Sequence, residues 1–458
     1  MPFIDSTYCS LPSVFYEQQS PQPVAQPEMV IWNTALAAEL GLEEDVSLYA
    51  GAAFPETLSP ISQAYAGHQF GHFTMLGDGR ALLLGEVLDK AGRRFDVQLK
   101  GSGRTHFSRG GDGRAALEPM LREYVISEAM HGLGIPTTRS LCVVGTGEPV
   151  YRETPLPGAI LTRIASSHLR VGTFEFAASY QDERALQALL RFAIDRHDAG
   201  CESVQAFFQG VIERQASLVA KWMAVGFVHG VMNTDNVTIS GETIDYGPCA
   251  FMDRYDPETV FSSIDQQGRY AYGNQPQITH WNMAVLASAL LEVMDDEEGA
   301  AEEMAKECLD RFPLLFRAAW QKEMNAKLGL DSLREGDDQL VGDLLNLMQA
   351  HELDYTQTFL KLDPAVALPG FEDWHVDWTK RMVGEEDVWG KMRQHNPAVI
   401  PRNHLVEAAL NAAGEGNLKP VEQLVDLLSD PYNRERDYGA LGEAPAKGAT
   451  GYKTFCGT

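Results

Sequence analysis

The sequence predicts an α+β chain with strands first and helices after, and three observations carry that expectation. Strand signals dominate from about residue 76 to 165. Helical periodicity takes over after about 175. The 458 residues are 44% hydrophobic and 22% charged, a globular composition that supplies a sizeable core. In the first stretch, 81–87 is a buried apolar run and Asp89-Lys-Ala-Gly92 has turn chemistry. Arg94–Lys100 alternates strictly, so Phe95, Val97 and Leu99 share one face and Asp96, Gln98 and Lys100 the other. Pro119 suits the first position of a helix in which Met120, Leu121 and Tyr124 recur at helical spacing, and Gly132 and Gly134 end it. Further strands are expected at 140–144 and 159–165.

Beyond 175, an apolar stripe through Phe207, Phe208, Val211, Ile212, Leu218, Val219 and Trp222 predicts a long helix that Gly226 stops. Two short strands, 237–239 and 243–244, are expected to flank Ser240-Gly241 as a small hairpin, and 281–293 is helical again. The dense acidic run 295–310 reads as a solvated helix face. At the N-terminal end, 17–28 is a Pro/Gln-rich extended loop, followed by a short helix over 33–40 that Gly41 stops. The expected division is an extension (1–55), a β-rich lobe (56–175), a helical lobe carrying the catalytic and metal loops (176–430) and a loop-rich tail (431–458). No internal repeat is visible.

Charge narrows the function. With 37 Lys+Arg against 64 Asp+Glu the chain carries a formal net charge of −27, the wrong sign for a general nucleic-acid binder, which must neutralise phosphates. No membrane is expected as a partner: the longest apolar stretch, 283–294, falls short of the ~20 residues a spanning helix needs. The first residues lack a basic region followed by an apolar block, and the six cysteines are scattered without Cys-x-x-Cys spacing, so a cytoplasmic location is expected. The basic residues of 80–122 and 163–170 form a local exception that suits a polyphosphate.

The segment 229–236 (HGVMNTDN) follows the long predicted helix, and Asp245-Tyr-Gly247 comes shortly after. Protein kinases keep the same order: a loop H-R-D-x-x-x-x-N, then D-F-G, with the Asn and the second Asp holding Mg²⁺. Asn236 stands seven residues after His229, as in that pattern, whereas Val231 occupies the place of the catalytic Asp and cannot accept a proton. Asp235 is the nearest substitute. Upstream, Lys100 ends the alternating strand and Glu123 lies on the following helix, matching the Lys–Glu pair that positions ATP phosphates. Together these features outline a protein-kinase-like bilobal fold. Gly77-Asp-Gly-Arg80, Gly101-Ser-Gly-Arg104 and Gly110-Gly-Asp-Gly-Arg114 are candidate phosphate-approaching loops, since glycine lets the backbone come close to an anion and Arg binds phosphate bidentately. His68 and His72 lie four apart but lack the His-Glu-x-x-His pattern, so a structural role is expected.

The segments 64–71 (AYAGHQFG), 76–80 (LGDGR), 98–105 (QLKGSGRT), 229–236, 245–248 (DYGP) and 267–276 (QGRYAYGNQP) closely resemble the selenoprotein O (YdiU) family, across nearly the whole chain. The resemblance implies a kinase-like enzyme lacking the usual catalytic Asp, which transfers AMP from ATP, or UMP from UTP, to Ser, Thr or Tyr hydroxyls of protein substrates. It implies nucleotide contacts by Gly77, Gly79, Arg80, Lys100, Asp112, Gly113, Arg163, Arg170 and Asp245. Glu123 would pair with Lys100, Asn236 and Asp245 would hold Mg²⁺ or Mn²⁺, and Asp235 would accept the proton. Cys456 stands where the family often carries a redox-active selenocysteine or cysteine, and Cys249 is a candidate partner for it. Two rival readings stay open: an atypical kinase moving the γ-phosphoryl group, and a pseudokinase scaffold that binds nucleotide without chemistry.

Overall fold

The strictly alternating segment lies at the centre of the molecule's main sheet. The structure, a computed structural model, describes residues 3–55, 58–180, 182–294, 299–363, 368–445 and 451–454. In chain order the strands of its β-rich part are β1 (Tyr16–Gln18), β2 (Glu28–Trp32), β3 (Ile61–Gln63), β4 (Ala66–Gln69), β5 (His72–Met75), β6 (Ala81–Leu88), β7 (Arg94–Lys100), β8 (Ala115–Ala116), β9 (Arg139–Tyr151) and β10 (Pro155–Ala165). Eight of them form one antiparallel sheet in the order β1-β3-β6-β7-β10-β9-β2, with β8 beside β10.

The two faces of β7 do different work. Val97 and Leu99 enter an apolar cluster with Leu36 and Leu40 of α1 (Thr34–Leu40) and Leu48 and Tyr49 of α2 (Val46–Tyr49). The expected helix near residue 33 is thus present, with Asn33 as its cap, accepting from Leu36 N, and Gly41 in the left-handed region at φ 67°. On the other face Asp96, Gln98 and Lys100 are also buried, so the polar side of the strand faces protein rather than water. Buried polar groups must be paired, and this layer of partners builds the site.

α3 (Leu117–Gly132) covers the sheet near β9 and β10. It starts two residues earlier than expected, so Pro119 sits inside the first turn, where a missing N–H still costs no intrahelical bond. The helical part comprises α4 (Val171–Ser179), α5 (Glu183–His197), α6 (Val204–Ala224), α7 (Gln275–Met294), α8 (Ala300–Lys327), α9 (Asp337–Ala350), α10 (Tyr355–Lys361), α11 (Glu372–Arg381), α12 (Val388–His395), α13 (Asn403–Gly414) and α14 (Lys419–Leu428). The stripe on α6 is buried as expected, and Gly226 follows the helix at φ 75°. On α8, Glu302, Glu303, Glu307 and Asp310 face solvent; the start of that acidic run, 295–298, lies outside the described residues. α13 and α14 return to the β-rich part, where Val406, Leu410, Leu424 and Leu428 pack on Leu121, Tyr124 and Val125 of α3. Among the described residues no helix is long and apolar enough to cross a membrane.

Two local expectations need correction. Segments 237–239 and 243–244 do not pair with each other. Thr238 bridges Arg170 and Thr243 bridges Thr137, because each segment finds its backbone partner elsewhere in the fold. Strand structure also begins before residue 76, where strand signals are expected to take over: the region around His68 is strand. β4 and β5 form a hairpin whose turn residues Phe70 and Gly71 both have positive φ, 51° and 86°.

Candidate active site

Antiparallel register brings the basic residues together. β10 pairs with β7 so that Arg163 stands opposite Gln98, and Arg163 Nη2 donates to Gln98 Oε1 at 2.6 Å. Lys100, at the end of β7, reaches α3: its Nζ donates to Glu123 Oε2 at 2.6 Å and to Asp245 Oδ1 at 2.8 Å. Arg163 Nη1 donates to the same Asp245 oxygen at 2.7 Å and lies 3.2 Å from Glu123 Oε1. Arg170, the residue preceding α4, donates through Nη1 to Asp245 Oδ2 at 2.6 Å and to the Asp235 carbonyl at 2.6 Å. Its guanidinium also stacks over Tyr65, 4.7 Å from the ring centroid. Five residues read from sequence, Lys100, Glu123, Arg163, Arg170 and Asp245, therefore form one buried network of three cations and two carboxylates.

Asp245 is the hub. Its backbone is left-handed, φ 61°, which few non-glycine residues adopt without local support. Burial alone would raise its pKa, but Lys100, Arg163 and Arg170 outweigh that and hold the carboxyl well below the usual carboxylate range. The network also keeps Arg163 and Arg170 charged: burial opposes ionisation, and Asp245 with its neighbours overcomes it.

Asp235 and Asn236 lie in a short helical turn, Thr234–Asn236. Burial pushes the Asp235 carboxyl up to about 6, against the pull of Arg170, and its Oδ1 is buried with no hydrogen-bond partner among the described residues. The β4–β5 hairpin braces this loop. His68 N donates to Thr234 Oγ1 at 2.7 Å, Phe70 N donates to Asn233 Oδ1 at 3.0 Å, and His68 Nδ1 pairs with Glu175. His68 is thus structural, and His72 is exposed. A Cβ on Gly67 would come within 2.3 Å of Asp235 Oδ1, so only glycine there leaves the carboxyl where it is. His229 is fully buried, its Nε2 against the Ile244 carbonyl at 2.9 Å, and burial lowers its pKa; it props the loop as a neutral ring. Val231 is buried in the place of a kinase's catalytic Asp.

The donor chemistry around this loop fits a hard divalent ion. Asn236 Nδ2 is spent on the Val231 carbonyl at 3.0 Å, which leaves its carboxamide oxygen as a ligand, and Asp245 offers a carboxylate. Among the described residues no three acidic, His or Cys side chains cluster as a protein-only metal site. An ion here would need substrate oxygens as well, as is usual for Mg²⁺.

The glycine-rich segments form one layered loop. Thr105 Oγ1 donates to the Asp78 carbonyl at 2.6 Å and Ser108 Oγ to the Gly79 carbonyl at 2.5 Å. A Cβ on Gly77 would meet the Phe107 ring at 2.4 Å, and one on Gly113 would meet the Gly103 carbonyl at 2.1 Å. The Arg80 side chain is half-buried and makes no ion pair with a described residue. Asp112 stands apart from the network: it is exposed and paired with Arg152 at 2.8 Å. Asp78, which sequence reasoning did not single out, is buried beneath the arginines. Burial pushes its carboxyl up to about 6, while Gln63 N and Gln98 Nε2 donate to it. Gly67 and Asp78 both fall in segments quoted for the family resemblance, the one signal that could have marked them. Cys456 lies outside the described residues, and Cys249 is buried.

Comparison with known proteins decides the family. A family model described as "Protein adenylyltransferase SelO" matches residues 3–367. The chain belongs to this family. It is an enzyme of the nucleotidyltransferase class. A relative from Anoxybacillus flavithermus named "Protein nucleotidyltransferase YdiU" is 54% identical over 473 residues, covering 99% of this chain and 98% of the relative. One of the same name from Geobacillus kaustophilus is 53% identical over 477 residues, covering 99% of each. Among solved structures, titin kinase with its flanking domains aligns with 72% of this SelO-family chain and 53% of its own, at 9% identity and a TM-score of 0.24, too loose a fit to support an inference.

Proposed function

We propose that this enzyme transfers AMP from ATP, or UMP from UTP, to Ser, Thr or Tyr hydroxyls of cytoplasmic proteins, with Mg²⁺ or Mn²⁺ bound. The observation that carries the proposal is the buried network at Asp245, in which three cations outnumber two carboxylates around a carboxylate held ionised. A surplus of fixed positive charge in a low-dielectric cleft is what a triphosphate needs, because phosphoryl-type transfer is mostly positioning and electrostatic stabilisation.

In this reading the cleft lies between a β-rich lobe (56–175) and a helical lobe (176–430). Lys100, oriented by Glu123, binds the triphosphate together with Arg163, Arg170 and Arg80. Gly77, Gly79, Asp112 and Gly113 shape the loop that lies along the nucleotide. Asn236 and Asp245 would hold the divalent ion, which when bound neutralises charge on the phosphates. The acceptor oxygen forms a bond to the α-phosphorus, the bond from that phosphorus to the α,β-bridging oxygen breaks, and pyrophosphate leaves. The hydroxyl proton goes to Asp235, whose unpartnered Oδ1 and carboxyl pKa near 6 suit a base at neutral pH. The unbridged thiols of Cys9, Cys142, Cys201 and Cys308 agree with a reducing compartment.

ATP labelled in either the α- or the γ-phosphate tests this. Protein that takes up only the α-label supports AMP transfer. Uptake of the γ-label alone would mean that the chain is a kinase, and the assignment would fall.

A further inference from the structure

We infer that a recess beside Asp235 receives the protein acceptor, and that Arg269 in its wall selects acceptor segments bearing a carboxylate near the hydroxyl. This rests on the nucleotidyl-transfer reading and extends it to the chemistry of the acceptor. The recess has a volume of about 540 Å³ and is walled by Phe70 and His72 of the β4–β5 hairpin, by Asp265, Gln267 and Arg269, and by Gln277 of α7. That volume is within the range of ligand sites. Its wall residue Phe70 is tied to the loop that carries the proposed proton acceptor. Phe70 N and Tyr270 Oη donate to the same oxygen of Asn233, at 3.0 and 2.6 Å, two residues before Asp235, while the neighbouring Gln69 hydrogen-bonds the Asp235 carboxyl.

The charge of the recess points to its occupant. Arg269 is held by stacking, its guanidinium carbon 4.8 Å from the Trp281 ring centroid and 5.7 Å from that of Tyr270, whose hydroxyl it also meets. It forms no ion pair with a described residue, and its Nε is buried without a partner. The one acid among the described wall residues is turned to the backbone instead: Asp265 accepts from Arg269 N at 3.0 Å and from Tyr270 N at 2.8 Å. Gln267 and Gln277 are uncharged. A planar guanidinium fixed on an aromatic face, with donors to spare, is built for bidentate contact with a carboxylate, which a lysine at the same place could not reproduce.

The test uses the full chain, α-labelled ATP and synthetic peptides with a single acceptor Thr flanked by Glu, Gln or Lys. Wild type should favour the Glu peptide over the Gln peptide by about tenfold in kcat/KM, the worth of one charge-assisted hydrogen bond, and disfavour the Lys peptide. Arg269→Gln should bring the Glu-to-Gln ratio close to one. Gln267→Glu, which adds a competing carboxylate while leaving the stacked arginine in place, should also lower that ratio, so the proposal remains testable if the first variant folds poorly. Equal wild-type rates on the Glu and Gln peptides, or an unchanged ratio in both variants, would overturn the inference while leaving nucleotidyl transfer intact. No α-label on any protein or peptide would instead overturn the reading on which it rests, and the inference with it.

Discussion

Two buried ionic clusters in this molecule look alike in composition and differ in balance. Around Arg402 a single guanidinium serves two carboxylates, donating to Asp253 at 2.7 Å and to Asp354 at 2.7 and 3.1 Å. The cluster ties α10 and the stretch before α13 to the segment after β-strand residues 250–251. Around Asp245 the ratio is reversed, with Lys100, Arg163 and Arg170 converging on one acid while Glu123 supports two of them. An arginine outnumbered by the fixed carboxylates that its terminal nitrogens serve is a structural tie. Three cations sharing two carboxylates would, on the proposed reading, keep a net positive charge for an anion that comes and goes. On the proposed reading, charge balance, not burial or the presence of ion pairs, separates the binding cluster from the structural one.

If this distinction is right, changes in the two clusters should fail differently. The largest effect is expected from Asp245→Ala, which removes the hub of the network and the proposed ion ligand: transfer of α-label should vanish, as it should for wild type after removal of divalent ions with a chelator. Next comes Asp235→Asn, which should lower transfer by roughly 10²–10⁴-fold, the usual contribution of a positioned proton acceptor, while ATP binding persists in calorimetry. Arg402→Met leaves two carboxylates without their cation and should cost roughly 3–5 kcal/mol of folding stability, seen in denaturant titration, with turnover per folded molecule preserved.

A smaller effect sharpens the role of Asp235. With its carboxyl raised to about 6 by burial, the base is mostly protonated at pH 5 and mostly ionised at pH 7. Transfer should therefore rise about tenfold per pH unit below 6 and level off above 7. The smallest concerns a third buried charge, Lys327, which has neither a cluster nor a ligand: its Nζ lies 4.1 Å from the Phe359 ring centroid, and burial pushes its pKa down to about 7. The unfolded chain binds this proton more tightly, so between about pH 7 and 10 wild-type stability should rise with pH, and below 7 the full penalty remains. Lys327→Met should raise the melting temperature at pH 7 by a few degrees, net of the lost cation–π contact, and flatten that pH dependence.

Much of the site was legible because the signals were local. Alternation in Arg94–Lys100 fixed which face Lys100 shares with Gln98, helical spacing placed Glu123, and the interval from His229 to Asn236 marked the loop. Arg163 carried no such signal: it meets Asp245 because β10 pairs with β7 in one register, a contact between residues far apart in sequence. The same holds for Arg170, which reaches Asp245 through the entry to α4, and for Gly67, whose need for hydrogen instead of a methyl is set by Asp235 more than 160 residues away. The misread hairpin at 237–244 has the same origin, since short apolar segments pair with whatever edge the tertiary fold offers, here Arg170 and Thr137. Asp112 shows the converse: a residue carried over with its motif whose observed partner, Arg152, lies outside the network.

The central claim is that the cation surplus around Asp245 is the triphosphate site. Calorimetric titration of ATP with a divalent ion into Lys100→Met and Asp235→Asn tests it most directly. The account expects Asp235→Asn to bind as wild type does and Lys100→Met to lose most of its affinity, with the wild-type affinity falling as salt is raised. Undiminished ATP binding by a folded Lys100→Met would contradict it.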